Sequence, residues 1–516
     1  MTLPDVALGD LLAAPDPWPV IHALAERWDD ALAAACARGL AHADDGGRRR
    51  ILWLVAGVAA PSAHAVLLAQ LPRARDRELA QILSVLTRAG VVVPTAEIMR
   101  AFDEAPDEAA AAAVSRDPAL VPRLGEQLGG ERPSWKAALA LAVGGRRALV
   151  DAILRGVRTR ERRDATGFVV ALEALGEARA VAALRALLAE PDAPAPWELG
   201  HALFALTGRE PLVALNGDAR AEADAWHAYD LDAPPRPRLE QVELAADRAT
   251  FALVDGAAAI SIDYGPPTQG SSWPQWGLWL RANGKPLYAI GSGCDTCETT
   301  LRAMGDDPSI AARIAREVRA CLGDLRALDV AVLDALTPCL ARLRTGHYLI
   351  ALVDLAIEVV DAADRSWLTR RTLHRGADPA PRSSLDVSWP GAPHFQVRDA
   401  ALGEVPTYGL LLPTQALAAL DEPTIAAHAA AIESGARPTA LAMAWLEAKD
   451  VEAEYPERFL IGAILDGHHR LAAYARLCRP ARILLACRLE DSPGPPEDRA
   501  SWLRAAIADL AAAPLG

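Results

Sequence analysis

The sequence has little cysteine, few aromatic residues and no surplus of positive charge, and each shortage excludes a class of protein. Its seven cysteines are too few, over 516 residues, to build a disulfide-stabilised scaffold, so we expect a reducing compartment. Aromatic residues make up 5% of the chain although hydrophobic residues make up 52%, a balance typical of closely packed helices. A formal net charge of −14 argues against nucleic acid as a partner, because neutralising phosphates takes a surplus of lysine and arginine.

Signals for membrane insertion or export are also weak. Residues 51–71 are uncharged over a length that could span a bilayer, but Pro61, Ser62, His64 and Gln70 interrupt the apolar run. We therefore expect two helices with a turn near Pro61 and no membrane partner. The first five residues lack the basic and then apolar pattern of a secretory signal, so the expected localisation is cytoplasmic.

Common catalytic motifs are missing as well. The chain contains no Gly-x-x-x-x-Gly-Lys-Ser/Thr loop, no Gly-x-Ser-x-Gly elbow and no His-Glu-x-x-His pair. The usual nucleotidase, hydrolase and metalloprotease routes therefore have no support in the sequence.

A chain of this length is too long for one core, and we expect a multidomain protein of about three domains. The first, residues 1–232, is a series of apolar segments of helix length separated by proline, glycine and charged turns. Residues 171–188 resemble a short HEAT-like repeat, in which a helix ends at Gly176 and the next begins by Val181. This predicts an all-α HEAT-like solenoid whose extended surface binds a protein partner, with an irregular helical bundle as the alternative. The proline-rich residues 234–237 end the helical region.

The second domain, residues 238–378, is expected to be a small α+β unit. Strand-like segments flank Asp255–Gly256 and Asn283–Gly284, and both patterns predict hairpins, the second by a type I′ turn. Helices are expected over residues 308–322 and 331–342, followed by a strand over residues 347–360. Residues 379–393 should form a loop-rich exit.

Cys294 and Cys297 form the one informative cysteine spacing. They follow a strand-like segment and enter a helix-like one, and a helix N-terminus lowers the pKa of a thiol, as a dithiol redox site requires. The local string resembles the Cys-x-x-Cys turn of small thioredoxin-like proteins. The pair also supplies two of the four ligands of a zinc site, which Cys321, Cys339 and His347 could complete. A pair of ordinary reduced thiols is the third alternative.

The strongest site candidate is a turn in the third domain, residues 394–516. A strand-like segment over residues 458–465 runs directly into a helix-like one through Asp466, Gly467, His468, His469 and Arg470. A glycine that opens a helix permits close approach of a ligand, the first helical N–H groups favour an anion, and imidazole and guanidinium groups add donors. This pattern predicts a phosphate site. The alternative is that Asp466 only caps the helix and the basic side chains lie on the surface.

These residues resemble the Gly-x-x-Arg-type box of the ParB/sulfiredoxin superfamily, which lies between a strand and a helix. The similarity extends upstream to residues 432–438, which resemble the family's turn into its second strand, and downstream to a strand over residues 482–488. In that superfamily the box binds nucleotide phosphates, as CTP in partition proteins, as ATP in sulfiredoxin, and as ADP or ATP in a free-serine kinase. The resemblance therefore implies ATP or CTP with Mg²⁺ as the cofactor, bound by residues 467–470.

The sequence departs from this superfamily in two ways, and each excludes one of its known functions. His468 stands where sulfiredoxin has its reactive cysteine, so sulfinic acid reduction is not expected. Only one further helix, near residues 499–513, follows the core, which leaves no room for the DNA-binding and dimer domains of a partition protein. Asp466 and His468 are the candidate catalytic residues, because a carboxylate beside a phosphate can hold Mg²⁺ or deprotonate a hydroxyl. The resemblance would place Glu433 near Asp466.

The sequence thus predicts a cytosolic nucleotide- or phosphate-binding protein whose HEAT-like half recruits a protein partner. It leaves open whether the chain catalyses phosphoryl transfer or nucleotide hydrolysis. One alternative is a non-catalytic interaction scaffold, and another is a thiol oxidoreductase or zinc protein that uses Cys294 and Cys297.

Overall fold

The structure, a computed structural model, describes residues 3–512 with several gaps. The gaps are residues 59, 114–116, 132, 144–149, 159–161, 177–178, 191–192, 194–195, 266–276, 293–300, 304–322, 363–364, 371–391 and 452–454. The described chain forms two compact units, the first built from residues up to Ala202 and the second from Leu203 onward.

Helices alone form the described part of the first unit. They are α1 (Leu3–Ala13), α2 (Trp18–Ala25), α3 (Asp30–His42), α4 (Asp45–Ala56), α5 (Pro61–Gln70), α6 (Asp76–Arg88), α7 (Thr95–Ala101), α8 (Pro106–Ala112), α9 (Val121–Gly129), α10 (Trp135–Val143), α11 (Val150–Arg158), α12 (Arg162–Leu175), α13 (Ala180–Leu188) and α14 (Pro196–Thr207), which crosses into the second unit.

Local signals explain where these helices begin and end. Asp29 and Asp44 cap α3 and α4 by accepting amide hydrogen bonds at 2.7 Å, and Pro61 occupies the first position of α5. The expected pair of helices within residues 51–71 is confirmed, as is the end of α12 at Gly176, which has a φ of 64°. None of the helices described is both long and apolar enough to cross a membrane.

Among its described residues, the second unit combines two sheets with six further helices. Its strands are β1 (Arg238–Leu244), β2 (Arg248–Val254), β3 (Ile260–Gly265), β4 (Gly277–Ala282), β5 (Lys285–Ser292), β6 (Arg302–Ala303), β7 (Gly346–Leu355), β8 (Ile357–Val360), β9 (His394–Val397), β10 (Thr407–Pro413), β11 (Ala440–Val451), β12 (Tyr455–Asp466) and β13 (Ala481–Arg488). Its helices are α15 (Ala219–Ala228), α16 (Val330–Leu340), α17 (Trp367–Arg370), α18 (Glu422–Glu433), α19 (His468–Arg476) and α20 (Arg499–Ala512).

The larger sheet is mixed and has nine strands in the order β1-β2-β7-β13-β11-β12-β10-β9-β8. Two pairs, β11 with β13 and β10 with β12, are parallel, and the others are antiparallel. The smaller sheet, β3-β4-β5-β6, is antiparallel throughout. Strand β12 lies near the middle of the larger sheet, so its last residue, Asp466, lies between the neighbouring strands β11 and β10.

Strand β11 shows how the larger sheet is covered. Because successive side chains of a strand point to opposite faces, Leu441, Met443 and Trp445 enter one core while Ala440 and Ala442 enter another. The first core also contains residues of the smaller sheet and α16, whereas the second contains residues of α18, α19 and α20. The alanines on the second face leave room for these helices to pack closely.

Several expected elements are confirmed and others are not. The hairpin at Asn283–Gly284 joins β4 to β5, with φ angles of 50° and 76° as a type I′ turn requires. The expected hairpin at Asp255–Gly256 is wrong, because β2 lies in the larger sheet and β3 in the smaller one. The strand expected over residues 347–360 is divided at Ala356 into β7 and β8, the third and ninth strands of the larger sheet. The helix expected over residues 308–322 lies outside the described residues.

The domain boundaries in the structure differ from those expected. Strands from both 238–378 and 394–516 lie in the one larger sheet, where β13 pairs with β7 and β9 pairs with β8. The second unit also begins before residue 232. Glu210 is bound there by a bidentate ion pair to Arg344, at 2.6 and 2.7 Å, because a partly buried guanidinium is best satisfied by a facing carboxylate.

Candidate functional site

The box at residues 466–470 lies where β12 ends and α19 begins. Gly467 forms the turn with φ 100° and ψ 20°, a conformation that L side chains rarely adopt. A Cβ at this position would lie 2.7 Å from the Cβ of Ala440 on the neighbouring β11. The sequence analysis expected a ligand to approach this glycine closely. On this side of Gly467, strand β11 of the protein itself lies at that distance.

His468 is buried, with 5% of its surface exposed, and acts as an acceptor. Its Nε2 accepts the backbone N–H of Thr414 at 3.1 Å, so the proton of the neutral ring must be on Nδ1. Burial, followed by the charge of His469, lowers the pKa of His468 to about 3. The imidazole is therefore neutral at physiological pH, whereas the sequence suggested a charged donor to phosphate.

His469 makes a similar contact. Its Nε2 accepts the backbone N–H of Asp421 at 3.0 Å, and Asp421 in turn caps α18 by accepting the amide of Thr424 at 2.9 Å. Both imidazoles thus hold the connection between β10 and α18 against the start of α19.

Only one nitrogen of the Arg470 guanidinium is hydrogen-bonded to described residues. Its Nη1 donates to the carbonyl oxygen of Thr439 at 2.6 Å and to Oδ2 of Asp466 at 3.1 Å. The Nε and Nη2 groups make no hydrogen bond to a described residue, and the side chain is 14% exposed. Asp466 is paired with this arginine, and within the described chain no hydrogen bond or ion pair joins it to Glu433.

His428, on α18, belongs to the same cluster although the sequence did not single it out. Burial lowers its pKa most, followed by the positive charges of Arg470 and His469, while Asp466 acts in the opposite direction. The residue lies 38 positions before the first residue of the box, so no local pattern connects the two. The available signal was its position beside the buried Ile425 and Ala429, at the margin of the face that α18 packs against the sheet.

The start of α19 also offers backbone donors. No side chain caps this helix, and its first internal hydrogen bond runs from the N–H of Leu471 to the oxygen of Gly467 at 2.9 Å. The amides of residues 468–470 precede that bond, and a helix start of this kind favours an anion. Backbone amides, the Arg470 guanidinium and two imidazoles therefore lie together at one turn.

The other predicted site remains outside the structural description. Cys294, Cys297 and Cys321 are not among the described residues, so their roles stay predictions. Cys339 is buried on α16. In the part of the chain that is described, no group of three or more His, Cys, Asp or Glu side chains is placed to hold a metal ion.

Comparisons with known proteins add little to this geometry. No protein-family model matches the chain, and no curated protein matches it. Among solved structures, the chain is similar to human deoxyhypusine hydroxylase in complex with glycerol, at 18% identity, over 44% of this chain and 90% of that chain. The TM-score is 0.19, and a similarity of that degree supports no inference about fold or activity.

Proposed function

We propose that the chain binds a nucleotide through its phosphates at the start of α19. The proposal rests on Arg470, whose guanidinium is only partly hydrogen-bonded within the described residues. This side chain lies beside the start of α19, which no side chain caps and which directly follows a central strand. The N–H groups on Nε and Nη2 form a fork suited to a phosphate, and the amides of the first turn add donors to the same ligand. Residues 394–516 also resemble the ParB/sulfiredoxin superfamily, whose box binds nucleotide phosphates at this place in the fold.

ATP or CTP with Mg²⁺ is the proposed cofactor, and phosphoryl transfer or nucleotide hydrolysis is the proposed chemistry. Asp466 is the carboxylate of the box and is proposed to hold Mg²⁺ or to accept a proton. Asp466 is paired with Arg470, so this role requires the arginine to turn from Asp466 to the ligand. His468 is proposed to position the Thr414 amide instead of contacting the phosphate.

A second candidate function is a non-catalytic scaffold in which the box is a structural cap. The observations in its favour are the contact that a Gly467 Cβ would make with Ala440, the two imidazoles occupied by backbone amides, and the bond from Arg470 to Thr439. All of them serve the fold without a ligand.

We propose further that the first unit is a HEAT-like solenoid that recruits a protein partner. Its described part consists of helices only, and short connections such as the two residues between α3 and α4 join them as in helical repeats. An irregular helical bundle is the alternative.

Thermal unfolding of the full-length protein with ATP or CTP, each with and without Mg²⁺, tests the nucleotide proposal. A ligand at about 100 times its dissociation constant should add about 2.7 kcal/mol to the native state. Arg470→Lys should then weaken binding by about tenfold or more, because lysine can still contact Asp466 but lacks the guanidinium fork. Arg476→Lys is the matched control, since Arg476 lies on the same helix but pairs with Glu422 at the surface. If no nucleotide stabilises the protein, the scaffold function is favoured.

A further inference from the structure

The connection between β10 and α18, residues 414–421, is held at both ends by consecutive residues of α19. The backbone N–H of Thr414 donates to Nε2 of His468 at 3.1 Å, and that of Asp421 donates to Nε2 of His469 at 3.0 Å. Between these ends, residues 417–419 form one short turn of 3₁₀ helix that contains no buried residue. We call this connection the strap, and the two imidazoles attach it to the start of α19.

The two attachments differ in how they respond to protons. A ring nitrogen accepts an amide hydrogen bond only while it carries no proton itself. His468 meets this condition down to low pH, because burial lowers its pKa to about 3, and the hydroxyl of Thr414 adds a bond to the carbonyl oxygen of Ile464 at 2.7 Å. His469 is only partly buried, and its bond to Asp421 is exposed. An unperturbed histidine titrates between about pH 5 and 8, so the attachment at Asp421 is the one that a proton can break.

The charges around His469 act on its ring in both directions. The carboxylate of Asp421 favours the protonated ring, and the pKa of this carboxyl is lowered first by the hydrogen bonds it accepts at the start of α18 and also by His469. Arg470 and, when protonated, His428 oppose a charge on the ring, whereas His468 is neutral. A phosphate at the start of α19 adds negative charge beside the same ring and shifts this balance toward the imidazolium.

Several further charged residues of the elements that pack against α19 have partners of their own. Asp466 pairs with Arg470, Glu422 with Arg476, Glu358 with Gln396, and Arg482 with Asp354. The protonation of His469 is therefore set mainly by Asp421, by the basic groups beside the ring and by an anion at the turn.

We propose that His469 is a latch for the strap, which a proton opens and which a bound phosphate opens by drawing that proton to the ring. In the free protein the neutral ring accepts the Asp421 amide, and the strap is held at both ends. When an anion binds, the ring takes up one proton from solvent and donates a hydrogen bond to the phosphate, so the Asp421 amide loses its acceptor. The Thr414 end stays attached through His468. This inference rests on the proposed phosphate site and adds a mechanism by which that site is regulated.

Hydrogen exchange of the Asp421 amide in the full-length protein without nucleotide tests the latch, and the Thr414 amide is the internal control. At pH 5.5 only about a tenth of ordinary histidine rings are neutral, so protection of the Asp421 amide should fall about tenfold from pH 8, after correction for the intrinsic pH dependence of exchange. Protection of the Thr414 amide should not change. Mass spectrometry at single-residue resolution measures both. In His469→Gln, whose side chain keeps an acceptor but does not titrate, the Asp421 amide should be protected equally at both pH values.

Saturating ATP at pH 7 tests the link between the latch and the phosphate site. ATP should lower protection of the Asp421 amide by about threefold, the change expected when the pKa of an ordinary histidine rises by about one unit, and should leave the Thr414 amide unchanged. Thermal stabilisation by ATP without this loss of protection would overturn the link and leave the nucleotide proposal standing.

The pH comparison decides the latch whether or not a nucleotide binds. Equal protection of the Asp421 amide at pH 8 and 5.5, an equal fall at Thr414, or an equal fall in His469→Gln would each overturn it. If no nucleotide stabilises the protein, the nucleotide proposal fails and the link to phosphate fails with it, so the two failures are distinguishable.

Discussion

His428 offers the most direct test of the candidate site at the level of single residues. Its pKa is lowered in the free protein, first by burial and then by Arg470 and His469, so the ring is neutral at pH 8. A bound phosphate would favour the charged ring and raise this pKa, so binding should be coupled to proton uptake. We expect the ratio of ATP affinities between wild type and His428→Gln to rise by about three- to tenfold from pH 8 to pH 6, since one pKa unit corresponds to a factor of ten. Isothermal titration at both pH values measures the ratio, and titration of ATP itself cancels in it. A ratio that does not change with pH would place His428 outside the site.

His468 should make the stability of the protein sensitive to acid. Its pKa of about 3 in the folded protein lies below the value of 6.5 for the unfolded chain, so the unfolded state takes up the proton first as the pH falls. The stabilisation is complete above pH 6.5 and is lost between pH 6.5 and about 3. The unfolding free energy of the wild type, measured in urea, should therefore fall more steeply over this range than that of His468→Gln, which keeps an acceptor but does not titrate. Parallel pH profiles for the two proteins would contradict the buried, neutral imidazole.

The sequence identified the box at residues 466–470 because its chemistry is local: a strand, a glycine and a helix start are adjacent in the chain. What it could not supply were the partners. Thr414 and Asp421 lie about fifty residues upstream. Their backbone amides donate to the imidazoles of His468 and His469, which the sequence analysis expected to bind phosphate. The positive φ of Gly467 is predictable from a strand-to-helix turn, but its contact with Ala440 depends on the register of β11.

At the scale of elements, the residues of a turn predicted a hairpin correctly only where the turn itself determines which strands pair. Asn283–Gly284 adopts the left-handed backbone that a two-residue hairpin needs, and the predicted hairpin is present. Asp255–Gly256 has a similar composition, but tertiary contacts take the chain elsewhere. The carboxylate of Asp255 accepts the hydroxyl of Tyr229 at 2.7 Å, and the amide of Gly256 donates to Thr345 at 3.0 Å. Both contacts fix the passage from one sheet to the other.

These two turns predict different costs for the same substitution. At Gly284 a Cβ would meet nothing within 4 Å, so Gly284→Ala should cost only the left-handed backbone strain of about 1 to 2 kcal/mol. At Gly256 a Cβ would lie 2.3 Å from the carbonyl oxygen of Leu343 and 2.9 Å from the amide nitrogen of Thr345. Since backbone atoms cannot move aside as a flexible side chain can, Gly256→Ala should be the more destabilising, by about 3 kcal/mol or more. Urea unfolding of both variants measures the order, and a larger loss at Gly284 would be inconsistent with the described turn.

For the whole molecule, the expected separation of residues 238–378 from 394–516 rested on a loop-rich composition between them. Composition reports where a chain is irregular, but it does not report which strands pair across the irregular segment. In the structure β7 pairs with β13 over eight residue positions, from Tyr348 opposite Arg488 to Leu355 opposite Ala481. Pairing between strands more than a hundred residues apart leaves no signal in either local sequence, so a single chain could not reveal it.

This shared sheet predicts how fragments should behave. A fragment of residues 394–516 keeps β9 to β13 but loses β7 and β8, so β13 and β9 become unpaired edges. It also uncovers the face of β11 that carries Leu441, Met443 and Trp445, because the smaller sheet and α16 are absent. We expect this fragment to aggregate or to show poor amide dispersion in NMR spectra, whereas residues 203–516 should give a dispersed spectrum and a cooperative thermal transition. A well-dispersed spectrum and cooperative melting for residues 394–516 alone would show that the region is an independent domain, as its sequence suggested, and that its pairing with β7 and β8 is dispensable.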